Sequence, residues 1–203
     1  MKTVKDFFWK PEMTVKECVD SFDSLGYQAV ELNEAGKVIF KMKRDGAKIF
    51  LTFTSNMATS GLRGFFSQLI RLKMVDIIAT TSGSIEEDIM KSFGEEFQVS
   101  NFNADDTQLH EKGENRVENL VIRNESYMKF EDKMNGFLEK VYVKQKRISA
   151  SDLLKEIGLM LDDESSILYQ AARNNVAIFC PGIADSAFGF HLFMFQQKHS
   201  DFM

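Results

Sequence analysis

Two short stretches hold the residues best suited to chemistry. Thr54-Ser55-Asn56-Met57-Ala58-Thr59-Ser60-Gly61 concentrates hydroxyl and amide groups, and Thr80-Thr81-Ser82-Gly83-Ser84 does the same before running at once into Glu86, Glu87 and Asp88. At helix starts, hydroxyls and unpaired backbone N–H groups suit phosphate oxygens without supplying a fixed charge. Adjacent carboxylates suit an ammonium group. No GxGxxG or Walker pattern accompanies them, so spacing alone is a weak nucleotide signal. Capping competes with binding: Ser55, Asn56 and Thr59 can cap a helix, and Ser84-Ile85-Glu86-Glu87 satisfies the S-x-x-E pattern, which makes Glu87 structural. Spacing alone favours capping.

The elements that must position these residues follow from hydrophobic periodicity. Phe50, Leu51 and Phe53 end one apolar run, and Val75, Ile77, Ile78 and Ala79 form another, each exiting into small polar residues. Between them Leu62, Phe65, Phe66, Leu69 and Ile70 recur at helical spacing and predict the buried face of a helix, with Arg63, Gln68, Arg71 and Lys73 pointing elsewhere. This is a βαβ unit, and in open α/β sheets ligands bind beyond the carboxyl ends of the strands. Val176-Ala177-Ile178-Phe179 predicts a third buried strand, exiting through Cys180-Pro181-Gly182 into Asp185-Ser186-Ala187-Phe188-Gly189 at another helix entry.

Elsewhere, Thr14-Val15-Lys16-Glu17 predicts a capping box opening a helix that packs a core face and stops at Gly26. A second helix is expected over Ala29–Met42, interrupted in propensity by Gly36. Phe7, Phe8 and Trp9 form an aromatic cluster suited to docking. Ser100–Asn115 reads as a long polar loop, Leu120-Val121-Ile122 as a strand, and Phe130–Val143 as a helix. Ser151 is expected to cap the helix carrying Leu153, Leu154 and Ile157, and another helix is expected over Ser165–Arg173. With no repeat or Pro/Gly-rich linker, residues 1–203 read as one α/β domain.

Composition narrows the function. The 203 residues carry 25 basic and 30 acidic side chains, a net charge of -5, and give no footprint for nucleic acid. Cys18 and Cys180 alone form no disulfide framework, and with three scattered histidines they predict no metal site. His191 and His199, eight residues apart, would stand roughly 12 Å apart on one helix. The start of the chain lacks a signal-peptide pattern and no run of about 18 apolar residues could span a bilayer, so a cytoplasmic, soluble protein is expected.

Several ordered motifs together resemble the deoxyhypusine synthase family, its archaeal members most. They are Thr54-Ser55-Asn56 with Ser60-Gly61-Leu62-Arg63, Met74-Val75-Asp76-Ile77-Ile78 with Thr80-Thr81, and Asn115-Arg116 with Asn119. Tyr127, Leu168-Tyr169, and Pro181-Gly182-Ile183 with Asp185-Ser186-Ala187-Phe188-Gly189 complete the set. The resemblance implies a Rossmann-like parallel sheet with helices on both faces and a tetrameric, NAD-dependent transferase. In such enzymes NAD takes hydride from spermidine, and the aminobutyl group passes by way of an enzyme lysine to one lysine of a hypusine-type translation factor precursor. Carried over residue by residue, it assigns NAD to Ser55, Asn56, Met57, Ala58 and Thr59, with Thr81, Ser82, Gly83 and Asp185. It assigns the polyamine to Glu86 and Glu87, reversing the capping preference for Glu87.

Three departures stand against that pattern. Phe190 occupies a position where many members carry a carboxylate, and Glu118 replaces a frequent glycine. The family's glycine-rich segment with the catalytic lysine has no counterpart here, so the chain reads as the N-terminal part of such an enzyme, inactive alone. Lys73, Lys91 and Lys198 are each expected to be solvated charges, and none is assigned the catalytic role. Two alternatives remain open: a non-catalytic paralogue that assembles with a complete synthase, and a homospermidine-forming aminobutyltransferase.

Overall fold

The structure, a computed structural model, describes residues 1–202. The chain divides into two compact units, Met1–Ile49 and Phe50–Met203.

In the first unit the Thr14–Glu17 capping box forms as predicted and opens helix α1 (Val15–Ser21). That helix buries no residue, contrary to the expected core face. A single 3₁₀ turn at Phe22–Ser24 leads to α2 (Gln28–Arg44), which continues through Gly36. Polar contacts hold the pair. The buried Asn33 amide donates to the Val19 carbonyl at 2.8 Å, and Lys2 and Lys37 both reach Asp23 at 2.6 Å. Phe7 meets the Phe22 ring edge-on, while Phe8 and Trp9 are exposed.

The second unit is built on strands β1 (Phe50–Phe53), β2 (Ile77–Thr80) and β6 (Ala177–Phe179), paired parallel in the order β1-β2-β6. Phe53 is level with Thr80 and Ala79 with Phe179, so all three strands end along one edge. Between β1 and β2 lie α3 (Ser55–Met57), a π turn at Ala58–Leu62 and α4 (Arg63–Arg71). Gly61 takes φ 114°, a conformation only glycine adopts without strain, and turns the chain into α4. The buried face of α4 is Arg63, Phe66, Ser67 and Ile70; Leu62 and Phe65 are exposed. Phe66 and Ile70 are thus buried as the apolar periodicity predicts, whereas Leu62 and Phe65 stay exposed and Arg63, expected to point elsewhere, is drawn inward by a buried ion pair. Phe66 stacks on Phe53 with ring centroids 3.9 Å apart.

After β2 come α5 (Ser82–Ser92), β3 (Gln98–Val99), α6 (Asp106–Glu111), β4 (Glu114–Val117), β5 (Leu120–Arg123) and α7 (Asn124–Lys144). The predicted loop over 100–115 is thus largely structured. Asp105 caps α6 by accepting from the Thr107 and Gln108 N–H groups, and β4 joins an antiparallel sheet in the order β3-β5-β4. Helices α8 (Ala150–Met160), α9 (Ile167–Asn174) and α10 (Ala187–Lys198) complete the unit. Ser149, not Ser151, caps α8, its hydroxyl accepting from Asp152 N–H at 3.1 Å. Of the third strand only Ile178 is buried, so it is an edge strand rather than a fully covered one. The core gathers Ile70, Ile78, Ile85, Ile89, Met134, Leu138 and Phe188.

Candidate functional site

Because β1 and β2 are neighbours that end level, the two polar stretches meet. Thr54 and Thr81 occupy the N-cap positions of α3 and α5, yet neither caps with its side chain. The Thr81 hydroxyl instead accepts from Ser55 N–H at 2.8 Å, joining the first exit to the second. Gly83 permits this approach: a Cβ there would stand 2.8 Å from Ser55 Cβ and 3.9 Å from Glu87 Oε1. Two helix starts not capped by their own N-cap side chains lie side by side; Ser55 N–H is taken by Thr81, Met57 N–H by the Thr54 carbonyl and Ser84 N–H by the Thr81 carbonyl, so the donors these contacts leave are the Asn56, Ser82 and Gly83 N–H groups.

The S-x-x-E capping box does not form. Ser84 lies inside α5, and its hydroxyl is 2.7 Å from that of Thr80, which in turn donates to the Phe53 carbonyl. Glu87 is therefore not a cap. Its carboxyl crosses to the Thr59 hydroxyl, and that hydroxyl also lies 2.9 Å from the Ser55 carbonyl. Burial pushes the Glu87 carboxyl up to about 7, outweighing Thr59 and Lys91, which pull it down. Glu86 points differently, one oxygen accepting from Phe188 N–H at 2.9 Å at the start of α10. It thereby links the second exit to the third, where Ser186 caps α10 through Gly189 N–H. Burial and the Glu86 charge together push the Cys180 thiol up to about 11, which makes it an inert buried group.

Of the sequence-predicted residues, Ser55, Thr59, Thr81, Gly83 and Glu87 are in direct mutual contact or one hydrogen bond apart. Ser82 begins α5 beside them, and Ala58 is buried behind. Asn56 and Met57 face outward and, with Thr59 and Ser60, line a cavity of about 340 Å³ closed on its other side by Phe102 and the turn at Val117–Leu120. Asp185 lies exposed in the turn before α10, its N–H bonded to the Gly182 carbonyl at 3.0 Å. Lys73 lies beyond the end of α4 and Lys198 at the end of α10, both exposed.

Sequence reasoning missed two features. Lys91 is not a solvated charge: it is half-buried, and its ammonium donates to the Thr59 carbonyl at 3.0 Å and the Ala58 carbonyl at 3.4 Å, with the Phe97 ring 4.7 Å away. Burial lowers its pKa. The i, i+4 spacing from Glu87 was the available signal. Beneath the site, the fully buried Asp88 accepts from Arg63 Nε at 2.6 Å, the Ser166 hydroxyl at 2.7 Å, and the Ile167 and Leu168 N–H groups at 3.0 and 2.8 Å. Arg63 also reaches Asp163 at 2.6 Å. One carboxylate so fixes α4, α5 and the start of α9. Above it, Tyr127 of α7 has its phenol pKa raised by burial and by the charges of Glu87 and Glu86.

A parallel sheet whose strands end level, with paired helix starts and a carboxyl at its polar edge, defines an α/β protein with a crevice at its strand exits. The chain belongs to the deoxyhypusine synthase family, whose model matches residues 17–203. It is 38% identical to a curated relative of that name from Thermoplasma volcanium, over 99% of this chain and 65% of the relative. A fission yeast relative, from Schizosaccharomyces pombe, is 36% identical over 93% of this chain and 58% of its own length. The chain thus spans 58–65% of the length of these curated relatives, less than two thirds. A solved deoxyhypusine synthase candidate from Entamoeba histolytica superposes with a TM-score of 0.68 at 29% identity, covering 96% of this chain and 70% of that one.

Proposed function

We propose that this chain supplies the dinucleotide and polyamine crevice of a deoxyhypusine synthase, the NAD-dependent transferase that moves the aminobutyl group of spermidine to a lysine of a translation factor precursor. The observation that carries the reading is the contact of Gly83 with Ser55, which holds two helix starts together with Glu87 at their back. The residues suit NAD: at Ser55–Thr59 and Thr81–Gly83 the Ser55 and Ser82 hydroxyls and the Asn56, Ser82 and Gly83 N–H groups are offered to a pyrophosphate, Thr59 and Thr81 hold the two starts together, and Asp185 stands at the next exit. When bound, NAD supplies a hydride acceptor. Glu86 and Glu87 hold ammonium groups of spermidine, with Tyr127 beside them, while the buried floor keeps bulk water from one side. Subunits assemble as in a tetramer, in the cytoplasm. No lysine of this chain is assigned to carry the aminobutyl group.

Calorimetric titration with NAD tests this. The chain takes up NAD, and Gly83→Ala, whose methyl group forces Ser55 away, weakens binding about tenfold, with circular dichroism reporting that the fold is kept. A folded chain that takes up no NAD ends the reading.

A further inference from the structure

The geometry around Glu87 raises a question of proton placement. The Thr59 hydroxyl has one hydrogen and two acceptors within reach, the Ser55 carbonyl and Glu87 Oε2. Lys91, the i, i+4 partner of Glu87, donates its ammonium to the Ala58 and Thr59 carbonyls, and its charge favours the Glu87 carboxylate by less than burial disfavours it. Glu86 spends one oxygen on Phe188 N–H. Among the described residues no other cation forms an ion pair with Glu87. Tyr127 of α7 is a neutral phenol, Arg63 of α4 is engaged by Asp88 and Asp163, and α9 meets α5 through N–H groups and the Ser166 hydroxyl on Asp88.

We propose that Glu87 and Thr59 form a proton-for-cation exchange site: the empty site stores a proton on Glu87, and an arriving alkylammonium group displaces it. In the empty site the Glu87 carboxylic acid donates to the Thr59 oxygen, and Thr59 donates onward to the Ser55 carbonyl. When an ammonium enters, the acid O–H bond breaks, the proton leaves to solvent, and the carboxylate pairs with the guest. The Thr59 hydrogen then swings from Ser55 to the carboxylate. Net charge balances, one positive charge arriving and one leaving. The same swing relaxes a hydrogen bond on the Ser55 backbone, so occupancy of the acidic site is felt at the first strand exit. Burial supports this placement, holding the carboxyl near neutrality.

The inference rests on the polyamine reading above, and the test separates the two. Carboxyl ¹³C NMR of the 203-residue chain follows each glutamate against pH without any ligand. One glutamate titrating near neutral, lost in Glu87→Gln, is the expected result; every glutamate titrating in the ordinary range overturns the stored proton. Calorimetry with spermidine at pH 7, in two buffers of different ionisation enthalpy, then reads proton release. The expected result is about half a proton released per spermidine, none in Glu87→Gln, and binding about tenfold tighter at pH 8 than at pH 6. Binding without buffer dependence overturns the exchange. A chain whose Glu87 titrates near neutral but which binds no spermidine overturns the polyamine reading, and the exchange with it.

Discussion

A carboxyl raised from 4.5 to about 7 makes folding depend on pH in a definite direction. Below about pH 4.5 Glu87 is protonated in both folded and unfolded chains, and its burial costs little. As pH rises from there to neutrality the unfolded chain sheds the proton while the folded chain keeps it, so stability falls across that window and levels off above it. The loss amounts to about 1–3 kcal/mol, the lower part of the range reflecting solvent contact with the carboxyl. Glu87→Gln removes the charge but keeps the shape. Urea denaturation is therefore expected to find the variant and the parent equally stable at pH 4.5, and the variant more stable by that amount at pH 8. Equal stability at pH 8 would show that Glu87 ionises there without penalty. The same side chain marks a limit of sequence reasoning. Ser84-Ile85-Glu86-Glu87 fits a capping box letter by letter, but α5 begins at Ser82, two residues before Ser84, and the hydroxyl that should cap turns to Thr80.

At the scale of elements, the strands and helices around the crevice were legible because their apolar runs are long or regularly spaced, as in β2, α5 and α7. Those that were not legible lacked such a signal. Helix α6 buries no residue and β4 alternates half-buried with exposed positions, so a polar segment folds with no hydrophobic pattern to announce it. Glu118 turns the β4–β5 hairpin at φ 57°, where a glycine is expected and the residue type gives no hint of a turn. The Arg63–Asp88 pair was illegible for another reason: Arg63 read as pointing away from the buried face and Asp88, 25 positions on, as the end of an acidic run, and only the fold brings them together at 10% and 0% side-chain exposure. Asp88 accepts from α4 and from the start of α9, so Asp88→Ala leaves Arg63 with Asp163 as its one carboxylate partner, beside the Ser92 hydroxyl, and leaves the first N–H groups of α9 unpaired. The expected cost is about 3–5 kcal/mol, measured by thermal or urea denaturation. Asp88→Asn, which keeps acceptor and shape, should recover part of it. A loss below about 1 kcal/mol for the alanine variant would mean that the network does not anchor these helices.

For the whole chain, the distribution of burial separates its two units. Every buried apolar side chain among the described residues lies between Phe53 and Phe202, and in residues 1–49 the one buried side chain is Asn33. Its Oδ1 has no partner among the described residues, while Leu32, Val38, Ile39 and Phe40 of α2 are each more than half exposed. The contacts named between this 17-residue helix and its neighbour, an amide and exposed ion pairs, do little to offset its ordering entropy, since such pairs contribute at most about 1 kcal/mol each. The crevice, its floor and both sheets lie in residues 50–203. A protein of residues 50–203 is therefore expected to unfold cooperatively within about 4 °C of the full chain and to keep its affinity for NAD. A peptide of residues 1–49 should show only partial, non-cooperative helix by circular dichroism. If instead the shortened protein loses its cooperative transition, the first unit contributes to the core in a way that side-chain burial does not reveal, and the crevice depends on all 203 residues.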